Sequence, residues 1–108
     1  MASYLVQVAY TPEAWGTLLK KPQNRLEAVR PAVEKLGGKV EGSWLSFGEY
    51  DTVVIIQMPD NTSAAAFSMA VSAGGAVKAM KTTPLMTAEE GQEAMRKATG
   101  SGYRPPAG

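Results

Sequence analysis

The spacing of apolar positions changes along the chain, and these changes predict its secondary structure. Alternation of apolar residues predicts strands over residues 3–10, 39–47, 51–58 and 76–86. Apolar residues three and four apart predict helices over residues 23–36, 62–73 and 88–97, preceded by a short helical turn after Thr11. The chain therefore combines helices and strands in one domain.

Polar and glycine residues mark where these helices begin and end. Asp60 or Asn61 is expected to cap the second long helix, and Thr87 with Glu90 forms a capping-box pattern before the last one. Gly37-Gly38 and Gly74-Gly75 are expected to end the preceding helices, because glycine adopts the left-handed cap without a steric penalty. Pro31 lies within the first long helix, where we expect it to kink or split that helix.

The order strand–helix–strand–strand–helix–strand predicts an α+β, ferredoxin-like βαββαβ fold with an extra C-terminal helix. In this topology the four strands form one antiparallel sheet, both helices cover one face, and the first and third strands are central. The first and third strands are apolar on both faces, whereas the other two carry the edge-type residues Gly42, Lys78, Lys81 and Pro84. We expect a domain over residues 1–98 and a Gly/Pro-rich tail over residues 99–108.

The sheet face opposite the helices is predicted to be apolar, because both alternating sets of the central strands are apolar. A monomer rarely exposes such a surface, so a second copy is expected to cover it in a homodimer or higher oligomer. The alternative is that the terminal helix or tail folds over this face.

Composition excludes several classes of function. The 108 residues contain no cysteine and no histidine, and the net charge is +1. Disulfides and thiolate sites are excluded, neither a metal nor another cofactor is expected, and the balanced charge argues against nucleic acid as a partner. The chain lacks a leader pattern and a long apolar run, so we expect a cytoplasmic protein without a membrane partner.

The segment Gly48-Glu49-Tyr50-Asp51 joins the second and third strands. Gly48 permits a backbone conformation closed to other residues, and Asp51 can accept amide hydrogen bonds across the turn, so both are predicted to stabilise the hairpin. A functional interpretation makes Tyr50, Glu49 and Asp51 the catalytic candidates, since a tyrosine beside a carboxylate can relay a proton.

Aromatic and amide side chains of the first two strands form the predicted binding surface. Alternation places Trp44 on the same strand face as Val40 and Gly42. We expect four aromatic and amide residues on the uncovered sheet face, namely Tyr4, Gln7, Tyr10 and Trp44. Together with Tyr50, they are expected to line either a subunit interface or a ligand pocket.

Gly48-Glu49-Tyr50-Asp51 resembles the signature of the GYD domain family of small bacterial and archaeal proteins. The similarity extends through residues 25–40 and 51–60 and covers about residues 3 to 95. A similar hairpin occurs in the effector-binding domains of Lrp/AsnC-type regulators. The resemblance implies a dimeric α+β barrel assembly, and it implies no particular activity.

Three functions follow as hypotheses. The first is a non-catalytic, homo-oligomeric module that binds a small ligand or partner at or near the subunit interface. The second is a cofactor-free enzyme, isomerase- or monooxygenase-like, in which Tyr50, Glu49, Asp51 and Trp44 surround one cavity. The third is a structural assembly unit whose tail docks on a neighbouring copy.

Overall fold

The computed structural model describes residues 1–107, which form one antiparallel sheet and four helices. The strands are β1 (Ala2–Tyr10), β2 (Lys39–Leu45), β3 (Thr52–Met58) and β4 (Val77–Leu85). The helices are α1 (Pro12–Lys20), α2 (Arg25–Lys35), α3 (Asn61–Ala73) and α4 (Ala88–Thr99). Of the predicted tail, Gly108 lies outside the described residues.

The strand order is β2-β3-β1-β4, with every neighbouring pair antiparallel. This order confirms the predicted α+β, ferredoxin-like fold with β1 and β3 at the centre. Their apolar character has a simple cause: a central strand is covered by neighbours and offers few positions where a charge remains hydrated.

The core lies between the sheet and helices α2 and α3. Alternate residues of β1 and β3 are buried, among them Val6 and Ile56. They belong to one core with Val33 of α2 and Phe67 of α3. Helix α2 packs over β2 and β3, whereas α3 packs over β4 and β3. The two helices therefore lie on the same face of the sheet, each over one half of it, with a gap between them.

The opposite sheet face, here called the open face, remains uncovered in the protomer. Leu5, Gln7, Val53 and Ile55 point to this face and are only half-buried. Trp44 is beside Val53 and is 54% exposed. Helix α4 buries no residue, so within residues 1–107 the terminal helix does not cover the open face.

Strand β2 differs from its prediction because of a bulge. The register with β3 shifts between Val40 and Gly42, so Val40 pairs with buried Ile56 and packs against the core. Gly42 and Trp44 lie on the open face instead, and the prediction that Trp44 shares a face with Val40 is wrong. An extra residue in one strand reverses the side-chain alternation beyond it, which simple counting cannot foresee.

The helix boundaries follow the predicted caps. Asp60, rather than Asn61, caps α3 by accepting from the Ser63 amide at 2.8 Å, and Thr87 with Glu90 forms the capping box of α4. Gly37 has φ +88° and ends α2 as predicted. Helix α2 is not split at Pro31, because its core-facing residues hold both halves against the sheet and Pro31 is on the exposed side.

Helix α4 extends away from the rest of the protein. The protomer measures 57 × 36 × 22 Å, and its radius of gyration is 17.3 Å. A compact domain of this length has a radius of gyration of about 13 Å. Among residues 1–107, no helix combines the length and apolar character needed to cross a bilayer.

Candidate functional site

Asp51 connects three segments of the chain. Its carboxylate Oδ2 accepts from the backbone N–H of Tyr10 at 2.8 Å and from the indole Nε1–H of Trp15 at 3.3 Å. Its own backbone N–H donates to the Val8 carbonyl at 2.8 Å. The carboxylate thus accepts from a backbone amide of β1 and an indole N–H of α1, and not from the amides across its own turn that were predicted.

Ser46 makes the hydrogen bonds that close the turn. Its N–H donates to the Asp51 carbonyl at 2.7 Å, and its hydroxyl donates to the Tyr50 carbonyl at 2.9 Å. Gly48 has φ +126° with open space around it, which supports its predicted conformational role. Glu49 is exposed and Tyr50 is half-buried.

The four residues expected to surround one enzyme cavity differ in their exposure and contacts. Trp44 is on the open face, Glu49 is exposed in the turn, and the Asp51 carboxylate already accepts from Tyr10 and Trp15. The Oδ2 atom of Asp51 is thus engaged by two structural donors. The enzyme hypothesis itself stays a prediction.

The predicted binding residues also divide between the two sheet faces. Gln7 and Trp44 are on the open face, as expected. Tyr4 and Tyr10 instead point to the helices and are buried, so their predicted placement on the open face is wrong. Tyr4 donates its hydroxyl hydrogen bond to Asn61 at the start of α3, and Tyr10 packs edge-on against Trp15 at 5.5 Å between ring centroids.

A cavity of about 220 Å³ occupies the gap between α2 and α3, and we call it the inter-helix cavity. The sheet forms its floor, and apolar side chains form most of its wall, among them Val6, Leu26, Val29, Phe67, Val71 and Met80. Its lining on the α3 side also includes the small residues Ala70 and Gly74. An apolar cavity with a few polar groups has the general character of a small-molecule site.

A second, more open cavity of about 360 Å³ lies beside it, between α1 and the start of α2. We call it the α1 cavity. Four residues line both cavities and therefore mark where they meet: Tyr10, Arg25, Leu26 and Thr52. Three of these four carry polar groups, so the polar lining of the inter-helix cavity lies at its boundary with the α1 cavity.

Arg25 is the charged residue at this boundary. The other arginines of the helices pair locally, Arg30 with Glu27 at 3.4 Å and Arg96 with Glu93 at 3.0 Å. Arg25 forms no salt bridge with any residue in the range 1–107. It also occupies the first turn of α2, where the helix dipole disfavours a positive charge. Its position is therefore not explained by stabilisation of the helix.

Tyr10 and Thr52 supply two hydroxyl groups near Arg25. Burial raises the pKa of the Tyr10 hydroxyl, and the Asp51 charge adds to this rise, whereas hydrogen bonding with Thr52 and the positive charge of Arg25 oppose it. At neutral pH the hydroxyl is consequently protonated and can donate a hydrogen bond. Thr52 is only 2% exposed and is the buried polar residue of the core.

Sequence reasoning missed Arg25 and Thr52 as site residues. Thr52 had a signal, because it is the polar member of the buried set Thr52, Val54, Ile56 and Met58. The sequence signal for Arg25 was weaker. The residues three and four positions later are Ala28 and Val29, and neither can form an ion pair with it. Their proximity to Tyr10 is a property of the packed structure.

Metal binding gains no support from the acidic residues. Within residues 1–107, the Asp and Glu side chains form no group of three that could hold an ion.

Several solved structures share this fold at low sequence identity. TTHA0845 from Thermus thermophilus is 17% identical with a TM-score of 0.54, covering 82% of this chain and 96% of that one. The hypothetical protein PHS023 from Pyrococcus horikoshii is 11% identical with a TM-score of 0.52, covering 81% and 92%. FFRP-DM1 is 14% identical with a TM-score of 0.50, covering 80% and 100%. At these identities the likeness concerns the fold alone.

Comparison of the sequence with curated proteins gives no match. The GYD domain family model, in contrast, matches residues 4–95. This range includes nearly all of the sheet, the hairpin signature Gly48-Glu49-Tyr50-Asp51 and most of α4. The chain belongs to the GYD domain family.

Proposed function

We propose that this protein is a non-catalytic, homo-oligomeric module that binds a small ligand in the inter-helix cavity. The observation that carries the proposal is the cavity itself, about 220 Å³ of mainly apolar space with polar groups at one boundary. A partly open, mainly apolar cleft with a few polar groups at one end is the usual form of a small-molecule site.

Self-association is supported by the open face. Leu5, Val53 and Ile55 form an apolar strip across the two central strands, and Trp44 extends it onto β2. Pairing of two such faces would remove this strip from water. The inter-helix cavity is on the opposite side of the sheet, so ligand binding and association would use different surfaces rather than a shared interface.

Retained ligand and stoichiometry can be measured together by native mass spectrometry of protein purified from its source. We expect a dimer or higher oligomer that carries a small organic molecule. A strictly monomeric protein without any adduct, which also binds no added apolar probe, would contradict the proposal.

A direct test uses benzyl alcohol as the probe and methyl NMR as the measurement. The Met80 methyl lines the cavity and should shift, whereas the exposed Met69 methyl should not. Ala70→Leu places a larger side chain in the cavity and should weaken binding by roughly tenfold or more, equivalent to about 1.4 kcal/mol. Ala73→Leu, on the exposed end of the same helix, is the matched control and should bind normally.

A further inference from the structure

We infer that the inter-helix cavity is selective for small apolar monocarboxylates, whose carboxylate would be bound by Arg25 and by the hydroxyls of Tyr10 and Thr52. This inference rests on the proposed ligand-binding role and adds the chemical class of the ligand. It depends on three properties of the cavity, namely its charge, the position of its polar groups and its size.

The charge of the cavity favours an anion. Arg25 is the charged side chain of its lining, and no aspartate or glutamate contributes to the wall of either adjoining cavity within the described range 1–107. Arg25 is exposed and forms no salt bridge in that range, although the Asp51 carboxylate, which accepts from Tyr10 and Trp15, is also near the site. A guanidinium group offers paired N–H donors that match the two oxygens of a carboxylate.

The polar groups of the cavity lie together at one end. This arrangement suits a ligand with a single acidic group rather than a ligand that is polar throughout. Arg25, Tyr10 and Thr52 lie together where the two cavities meet, whereas Phe67, Val71 and Met80 line only the inter-helix cavity. A ligand with one charged end and an apolar body would satisfy both regions. A sugar or nucleotide would bury many hydroxyl groups against apolar walls without hydrogen-bond partners, which is costly.

The size of the cavity limits the apolar body. A protein cavity of about 150 Å³ holds a benzene molecule. The inter-helix cavity is about 220 Å³, which leaves room for an aromatic ring with a short side chain or for a short branched chain. Aryl-alkanoic acids and short branched fatty acids fit these limits.

The test compares 3-phenylpropionate with its neutral amide, 3-phenylpropanamide, which has nearly the same shape. At neutral pH we expect calorimetry to show the acid binding about tenfold or more tightly, since charge-assisted hydrogen bonds are about twice as strong as neutral ones. Arg25→Gln should reduce this preference to less than about threefold, because it weakens binding of the acid more than binding of the amide. Arg30→Gln changes an arginine of the same helix that lines neither cavity, so it is the matched control and should retain the preference.

Failure of this inference can be distinguished from failure of the proposed function. If the acid and the amide bind equally and both shift the Met80 methyl, the cavity binds ligands but the carboxylate assignment is wrong. If neither they nor benzyl alcohol binds, the ligand-binding role is wrong as well. Because the first comparison uses the unmodified protein, a variant that fails to fold does not affect the result.

Discussion

At the scale of single residues, Asp51 is a residue of the family signature whose hydrogen bonds stabilise the fold. It hydrogen-bonds β1, α1 and the turn before β3, using both its backbone and its carboxylate. Removal of this carboxylate would leave the N–H groups of Tyr10 and Trp15 without partners at a part-buried position.

Asp51→Ala should therefore lower the free energy of unfolding by about 2–4 kcal/mol, since each unpaired buried donor costs about 1–3 kcal/mol. Asp51→Asn keeps one acceptor oxygen and should cost only about 1 kcal/mol. Urea unfolding measures both changes. Glu49→Gln, in the same turn but exposed, is the control and should stay within about 0.5 kcal/mol of the unmodified protein. Equal stability of Asp51→Ala and Glu49→Gln would refute this structural role.

Glycine residues in this chain serve distinct purposes, and Gly38 is the most constrained by space. A Cβ atom there would lie 2.3 Å from the Gln57 carbonyl oxygen and 2.6 Å from the Met58 sulfur. Its N–H also donates to the Val33 carbonyl at 3.0 Å, while the Gly37 N–H donates to Glu34 at 3.0 Å. This pair of bonds is the Schellman motif, which turns the chain from α2 into β2.

Gly38→Ala should destabilise the protein by about 3 kcal/mol, at the upper end for overpacking, because a backbone carbonyl cannot move aside as a side chain can. Gly16→Ala is the contrasting control. It lies within α1 with no atom near the added Cβ, and should stabilise the protein by about 0.4–1 kcal/mol. Thermal unfolding of the two variants provides the comparison, and a neutral Gly38→Ala would contradict the close approach of α2 and β3.

At the scale of elements, α4 differs from the core helices because it buries no residue and extends away from the sheet. An isolated helix of 12 residues is close to the limit of stability in water. Its capping box is therefore unusually important. The Thr87 hydroxyl accepts from the Glu90 amide at 3.1 Å, and the Glu90 carboxylate accepts from the Thr87 amide at 2.9 Å.

Thr87→Ala should remove about 1 kcal/mol of helix stability and unfold much of α4 locally. Hydrogen exchange measures this as faster exchange over residues 88–99. The control is the midpoint of global unfolding. This midpoint should not change, because α4 contributes no residue to the core. Protection of α4 that survives Thr87→Ala would instead indicate that another copy packs against the helix.

The same cap makes α4 sensitive to pH. Hydrogen bonding from the Thr87 amide holds the pKa of Glu90 below its usual range. The carboxylate form is thus favoured in the helix, so its stabilisation is complete above the usual glutamate pKa. It is lost as the pH falls through the lowered pKa, and α4 should lose exchange protection in acid before the sheet does.

At the scale of the whole molecule, we expect the open face to determine assembly. Val53 and Ile55 lie at its centre on β3. Val53→Thr with Ile55→Thr keeps branched side chains that suit a strand while adding hydroxyl groups, so the fold should persist and association should weaken. Analytical ultracentrifugation should show at least about a tenfold weaker association, equivalent to about 1.4 kcal/mol. Leu19→Gln, an exposed change on α1, is the control and should leave assembly intact; an unchanged double variant would mean that another surface mediates association.

Much of this fold could be predicted from the chain because the relevant signals are local. Apolar residues on both faces identified β1 and β3 as central, and the caps at Thr11, Asp60 and Thr87 begin their helices through bonds to residues three positions away. Such bonds and spacings depend on neighbouring residues, so the sequence alone specifies them.

The candidate site could not be predicted in this way, because its residues meet only after packing. Tyr10, Arg25 and Thr52 come from β1, α2 and β3, and their proximity depends on where α2 lies over the sheet. The bulge in β2 likewise placed Val40 and Trp44 on opposite faces, since one extra residue reverses the alternation. The sequence by itself thus determined the elements, their order and the apolar character of both sheet faces. Only the tertiary structure decided which polar groups share a cavity, because the gap between α2 and α3 is set by helix packing across the sheet.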